Sequence, residues 1–249
     1  MTSCNPVTLP LDPNSKLRKF QEGDNIADAT LYQQIIGSLM YLVIGTRPDL
    51  AFSVSSLSQY SSQPSTTHMG AAKRVLRYIK GSRDRVLTYT RCPDLSLSGF
   101  ADADFANNQD DRKSISGHIF QLAMNTISWR SRKQKCVSTS TVEAEYISLS
   151  LAAKQQIWLQ LALKELGFSS IPAALSTDGN GAVDLTQNPR ISDRSKHIDM
   201  AYHHIRNLVE SGNLVILHVP GSENLADICT KAMPGPKFSL LRDGVLGTK

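Results

Sequence analysis

The feature that most limits how this chain can fold is a change of period near Cys92. Before it, Leu31, Ile35, Ile36, Leu39, Met40, Leu42 and Val43 recur at helical spacing. Arg47-Pro48 should stop that helix, because a residue before proline avoids the α region. Leu50 to Tyr60, closed by Gln63-Pro64, predicts a second helix. Thr67 to Lys80 predicts a third, with Gly81 as its C′ stop. The third carries a basic face of His68, Lys73, Arg74, Arg77 and Lys80, which suits either solvent or a phosphate backbone. From Leu95 onward apolar residues alternate instead. Leu95–Asp102, Ser116–Leu122 and Thr126–Arg132, with a turn at Met124-Asn125, predict a three-stranded antiparallel meander.

A long helix is expected next, from Thr141 to Leu166, with Gly167 as its stop. Ala173–Thr177 reads as a fourth strand ending on Asp178, followed by helices at 182–187 and 198–211. Leu214–Val219 is a fifth strand, and Glu223–Ala232 a last helix before Pro234 and Pro236. Helix-linked strands join in parallel through right-handed crossovers, so the expected product is an α/β fold. It has a mixed five-stranded sheet with helices on both faces, preceded by a small helical segment. Ligands in such folds bind outside the carboxyl ends of strands. The expected divisions are an extended arm over 1–30, a helical segment over 31–92, the α/β domain over 93–235 and a tail over 236–249.

Composition narrows the class. Lys and Arg number 27 against 22 Asp and Glu, a net charge of +5 that suits a polyanionic partner. No apolar run approaches membrane-spanning length, and the amino terminus lacks a signal-peptide pattern, so no membrane partner and an intracellular, non-secreted location are expected. Cys4, Cys92, Cys136 and Cys229 are too scattered for a zinc knuckle or a disulfide framework.

The acidic residues fall at related places in the expected topology. Asp102 and Asp104, two apart in Ser98-Gly99-Phe100-Ala101-Asp102-Ala103-Asp104, share one side of the first strand's end. Asp178 ends the fourth strand, and the two ends meet at one edge if those strands are parallel neighbours. In Ser140-Thr141-Val142-Glu143, the glutamate matches a capping box, in which it bonds back to the cap's N–H. Glu145, two residues deeper and on the face of Leu149, then points toward the sheet, which is costly for a carboxylate unless it is paired or binds metal. Asp227 sits among apolar residues in Leu225-Ala226-Asp227-Ile228, where support of a helix dipole is the simpler role. Carboxylates converging from separate elements are what a two-metal site needs.

Several motifs carry a resemblance. Gly99-Phe100-Ala101-Asp102-Ala103-Asp104, Asp110-Asp111-Arg112-Lys113-Ser114-Ile115-Ser116-Gly117, Ile127-Ser128-Trp129, Ser140 to Tyr146, Ser195-Lys196-His197-Ile198-Asp199 and Leu225 to Lys231 stand in one order. Together they resemble the ribonuclease H domain of Ty1/copia retrotransposon polyproteins. Ile36 to Leu42, Gly45 to Ala51 and Lys73 to Gly81 resemble the carboxyl-terminal part of the same polyproteins' reverse transcriptase.

The resemblance implies a ribonuclease H-like fold and an endonuclease acting on RNA–DNA hybrids. Asp102, Glu145, Asp178 and Asp227 would be its catalytic, metal-binding carboxylates for two Mg²⁺ ions, with Mn²⁺ as a substitute. The partners implied are an RNA–DNA hybrid and the rest of the polyprotein, in cytoplasm or nucleus. Phosphate contacts are expected from the loop residues Arg130, Arg132, Lys133 and Lys135. No Tyr-x-Asp-Asp is present, so polymerase activity is not expected.

This chain departs from the pattern at Ala101, Phe105 and the glycine-rich Thr177-Asp178-Gly179-Asn180-Gly181, which would leave Asp178 loosely held. Pro220-Gly221-Ser222-Glu223 lacks the histidine of cellular ribonucleases H, so no histidine is assigned to catalysis, and His197, His203 and His204 are expected to pack or pair on their helix. The rival reading is a non-catalytic module that binds nucleic acid or protein through the same fold. A nuclease for branched DNA is a third.

Overall fold

A computed structural model describes residues 3–168, 173–187 and 199–247. It contains the mixed five-stranded sheet, in the order β3-β2-β1-β4-β5. The strands are β1 (Leu97–Asp104), β2 (Ile115–Leu122), β3 (Asn125–Lys133), β4 (Ala173–Thr177) and β5 (Ile216–His218). β2 runs antiparallel to β1 and to β3, whereas β4 runs parallel to β1 and β5 parallel to β4. The helices are α1 (Ala29–Gly45), α2 (Ala51–Ser58), α3 (Thr66–Gly81), α4 (Thr141–Glu165), α5 (Asn180–Gln187), α6 (Asp199–Glu210) and α7 (Gly235–Leu246).

Strand alternation divides the core between the two faces of the sheet. On one face Leu97, Ala101, Phe120 and Leu175 pack against Tyr146, Leu149, Ala152 and Ala153 of α4. On the other, Ile115 and Ile119 join a cluster with Tyr32, Leu39, Leu57 and Val75 of α1 to α3 and with Phe238, Leu241 and Val245 of α7. The indole N–H of Trp129 donates to the Val43 carbonyl (2.8 Å), tying β3 to α1.

Several expectations change. β1 runs two residues past Asp102, which pairs with Gly117 inside the ladder rather than ending the strand. The third strand covers the expected 126–132 and runs on to Lys133, so most of the residues expected as a basic loop are the end of edge strand β3. The last helix shrinks to a 3₁₀ helix, Leu225–Cys229. The expected tail is α7, because Pro234 and Pro236 occupy the cap and first-turn positions where proline's fixed φ favours a helix start. The arm buries Leu11 and Leu17 in the cluster beneath α1 to α3.

Gly81 is the last residue of α3, not a left-handed stop. A Cβ there would lie 2.9 Å from Pro6 Cβ, so it is the arm's close approach that calls for glycine. The arm also occupies the basic face of α3, since Arg77 Nε and Lys80 Nζ donate to the carbonyls of Asn5 and Cys4. His68 is buried, its Nδ1 accepting from the Ser65 N–H at the head of α3 (2.9 Å). Its Nε2 therefore carries the proton shared with the Arg18 carbonyl (2.9 Å). No helix among the described residues is long and apolar enough to cross a membrane.

Candidate metal centre

Asp102 stands on β1, Glu145 in the second turn of α4, and Asp178 just past β4. One carboxylate oxygen from each lies within 4.8 Å of the other two. Parallel pairing of β1 with β4 delivers Asp102 and Asp178 to the same edge, as the topology required. α4 brings Glu145 to them because it is pinned over β1: the Ser148 hydroxyl donates to the Asp102 carbonyl (2.6 Å). Gln134 supports the same junction, its amide donating to Ser116 Oγ (2.9 Å) and to the Ala144 carbonyl (3.0 Å).

Glu143 and Glu145 separate as the local physics argued, although the cap differs in detail. Ser140 Oγ accepts from the Glu143 N–H (3.1 Å), and the Glu143 carboxylate accepts from the Thr139 N–H (2.8 Å) rather than from the cap's own. Glu145 is buried, and its Oε2 has no hydrogen-bond partner.

Asp227 lies beside the cluster rather than within it. It is fully buried on the 3₁₀ helix, with Lys231 Nζ 2.7 Å from Oδ1 and Lys237 Nζ on Oδ2. Lys231 also reaches Asp102 Oδ2 at 3.4 Å, and that oxygen accepts from the Thr230 hydroxyl. Asp104 is satisfied locally by the Asn107 amide.

One organising residue carried no signal in the sequence. Asn224 caps the 3₁₀ helix by accepting from the Ala226 N–H (3.2 Å). Its amide donates to Asp178 Oδ1 (2.9 Å) and to the Ala101 carbonyl (3.0 Å). A single buried side chain thus joins the 3₁₀ helix, β1 and the third carboxylate.

The glycines around Asp178 give close packing, not slack. A Cβ at Gly179 would lie 3.2 Å from Glu145 Cγ, one at Gly181 2.9 Å from Val142 Cγ2, and one at Gly221 2.9 Å from Asp178 Oδ2.

Electrostatics fits this set for a cation. Burial first, and the charge of Asp227 next among the raising causes, push the Asp102 carboxyl well up, against Lys231 and Thr230. Burial, then Asp102 and Asp178, push Glu145 up further. Lys231 is raised despite its burial, because Asp102 and Asp227 hold its charge. Carboxyls crowded in this way keep protons unless positive charge replaces them. Three carboxylates, one of which carries an orphaned oxygen, are the hard ligand set that a divalent ion takes.

The other expected site residues are dispersed. Arg130 and Arg132 are exposed on β3, Lys135 is exposed beyond it, and Lys133 is engaged by Asp111 at 2.9 Å. His203 is exposed and His204 half-buried on α6, while His197, with the Ser195-Lys196-His197 motif, lies outside the described residues.

A transposon Pol polyprotein named TNT 1-94, from Nicotiana tabacum, is 39% identical over 249 residues, 98% of this chain. The chain belongs to the Pol polyproteins of Ty1/copia-type retrotransposons. The Ty1-JR1 Gag-Pol polyprotein of Saccharomyces cerevisiae is 27% identical over 84% of the chain. The chain spans 19% of the length of the first relative and 12% of the second. No protein-family model matches it. Among solved structures, LC11-RNase H1 in complex with an RNA/DNA hybrid aligns over 54% of this chain and 94% of its own, at 20% identity and a TM-score of 0.42. The ribonuclease H-like architecture stands on the strand order and pairing described above.

Proposed function

We propose that this retrotransposon Pol segment is a ribonuclease H that hydrolyses the RNA strand of RNA–DNA hybrids, with Asp102, Glu145, Asp178 and Asp227 as its catalytic carboxylates. The observation that carries the reading is the meeting of Asp102, Glu145 and Asp178 from three separate elements, with a buried and partnerless oxygen on Glu145. Two divalent ions, Mg²⁺ or in its place Mn²⁺, would activate water and stabilise the leaving 3′ oxygen. The chain's own residues supply the frame. Asn224 orients Asp178, Thr230 orients Asp102, and Lys231 and Lys237 balance the charge of Asp227. Selectivity for RNA requires contacts to 2′-hydroxyls in the minor groove. Arg130, Arg132, Lys133 and Lys135 are the proposed phosphate contacts, with the hybrid and the rest of the polyprotein as partners in cytoplasm or nucleus.

The two lysines on Asp227 favour one rival, a non-catalytic module whose acids are already neutralised. Cleavage of a labelled hybrid in Mg²⁺ by the wild-type chain, abolished in Asp102→Asn, supports the enzyme. A folded wild-type chain that leaves the hybrid intact refutes it, and preferential cleavage of branched DNA assigns a different substrate.

A further inference from the structure

Beside α4, away from the carboxylates, β2 and β3 form the floor of a groove of about 180 Å³ lined by Ser116, His118, Arg130, Arg132, Lys154 and Gln155. Its cations come from two elements. In the β2–β3 ladder His118 pairs with Arg130 and Ser116 with Arg132, so both arginines emerge on the α4 side of the sheet. Lys154 stands opposite them on α4. No acidic residue lines the groove, and no ion pair among the described residues engages Arg130, Arg132 or Lys154.

The floor is firmly held. The His118 ring is buried, edge-on to Phe120 with centroids 5.5 Å apart, and Ser116 Oγ accepts from Gln134. Burial first, and Arg130 second, lower His118 to about 4. The imidazole is therefore neutral at pH 7 and offers a donor without adding to the repulsion among the cations. Three unpaired cations facing one another across a narrow groove call for an anion, and two guanidinium forks beside an ammonium suit the non-bridging oxygens of a phosphate.

Gly117, between Ser116 and His118, is the ladder partner of Asp102, so the Asp102 side chain leaves the sheet on the face opposite the groove, where Thr230 meets it. We infer that the groove between α4 and β3 is a phosphodiester-binding subsite, in which Arg130, Arg132 and Lys154 hold the polynucleotide backbone apart from the carboxylates. The inference rests on the nuclease reading for its substrate, and it assigns to Lys154 and the floor a role that the basic segment alone did not suggest.

Arg132 and Lys154 are exposed, so both can be changed without disturbing the core. The test is equilibrium binding of a short RNA–DNA hybrid to the full chain in EDTA, over a range of sodium chloride, for wild type, Arg132→Gln, Lys154→Gln, their double variant, Arg132→Lys and Lys164→Gln. Each lost phosphate contact should make the log–log salt slope shallower by about 0.9 and weaken binding about eightfold at 0.1 M salt. The double variant should lose about 1.8 in slope, while Arg132→Lys and the distant Lys164→Gln keep the wild-type slope. A double variant with the wild-type slope overturns the inference. So does a groove that binds inorganic phosphate, seen by phosphorus NMR and lost in the double variant, while hybrid binding is unchanged. Cleavage in Mg²⁺ is scored separately. A wild type that binds with the full slope yet does not cleave refutes the nuclease reading and upholds the groove.

Discussion

Replacing Asn224 by alanine tests the frame of the site at its most connected point. The substitution removes three bonds, from the amide to Asp178 and to the Ala101 carbonyl and from the Ala226 N–H to the side chain. Loss of a helix cap costs about 1 kcal/mol. A hydrogen bond to a charged group contributes about 1.5–3 kcal/mol, and the lower end applies because Asp178 is half-buried rather than buried. The orphaned Ala101 carbonyl adds about 1–3 kcal/mol. Bonds made by one side chain do not add in full, so the expected loss is about 3 kcal/mol. Against a total stability of about 5–15 kcal/mol that is large. Urea unfolding at pH 7 should show it as a lower midpoint with an unchanged m-value. A freed Asp178 should also raise the Mg²⁺ concentration needed for half-maximal cleavage about 10-fold or more, the usual cost of losing a residue that orients a ligand. Asn224→Asp keeps the cap but sets a second carboxylate against Asp178, so it should unfold more readily than wild type above pH 7 and approach it at pH 5. If Asn224→Ala unfolds within about 0.5 kcal/mol of wild type and needs no more Mg²⁺, Asn224 does not organise the site.

Metal-free protein should lose stability as pH rises above about 4. The folded-state pKa values of Asp102 and Glu145 lie above their unfolded values, so the folded chain holds the extra protons and unfolding becomes easier with rising pH. Mg²⁺ should flatten that slope in thermal melts between pH 5 and 8, and a metal-free melting temperature that climbs across the same range contradicts the assignment. Asp102→Asn removes one of the charges that raise Glu145, so the variant that does not cleave should be at least as stable as wild type at pH 8 without metal. Gly117→Ala places a Cβ 2.6 Å from Thr230 Cγ2 and 2.8 Å from Cys229 Cβ. It should cost about 1–3 kcal/mol and reduce cleavage by shifting Thr230 from Asp102. Gly70→Ala, in α3 with open space around it, should instead stabilise by about 0.4–1 kcal/mol in the same denaturation assay. Arg47→Met leaves Asp49 buried without its ion-pair partner at 2.8 Å, and should lower stability by about 3–5 kcal/mol.

What could be seen in advance followed from local rules. Period-2 alternation located the meander, and the Ser140 cap located the head of α4 and separated Glu143 from Glu145. The errors arose where a local rule met a distant partner. Asp102 looked like a strand terminator because aspartate is scarce in strands, yet its backbone is paired with Gly117 and its side chain meets Thr230 from 128 residues away. Arg130-Ser131-Arg132 fell both in the expected strand and in the expected basic loop; the strand prevails, since an edge strand with one solvated face tolerates cations alternating with serine. Pro234 and Pro236 read locally as the close of the domain, whereas they begin α7. Asn224 could not be found at all, since its value lies in bonds to Ala101 and Asp178, residues 123 and 46 positions away.

The arrangement ties the carboxylates to the helical segment upstream. Thr230, Lys231, Asp227 and Asn224 all belong to the 3₁₀ helix or its flanks. That element is too short to hold itself, because five residues make few bonds of their own. It is held by burial: Ile228 and Cys229 share a cluster with Leu50, Val54 and Leu57 of the helical segment and Phe238 and Leu241 of α7. On its other side it presses on Gly117, where only a missing side chain lets the Ala226 carbonyl and Thr230 approach β2. The layer that resembles a polymerase remnant thus forms the wall that keeps Asp227 and the partners of Asp102 and Asp178 against the sheet. In physical terms the helical segment is part of the candidate site, although none of its residues reaches the carboxylates.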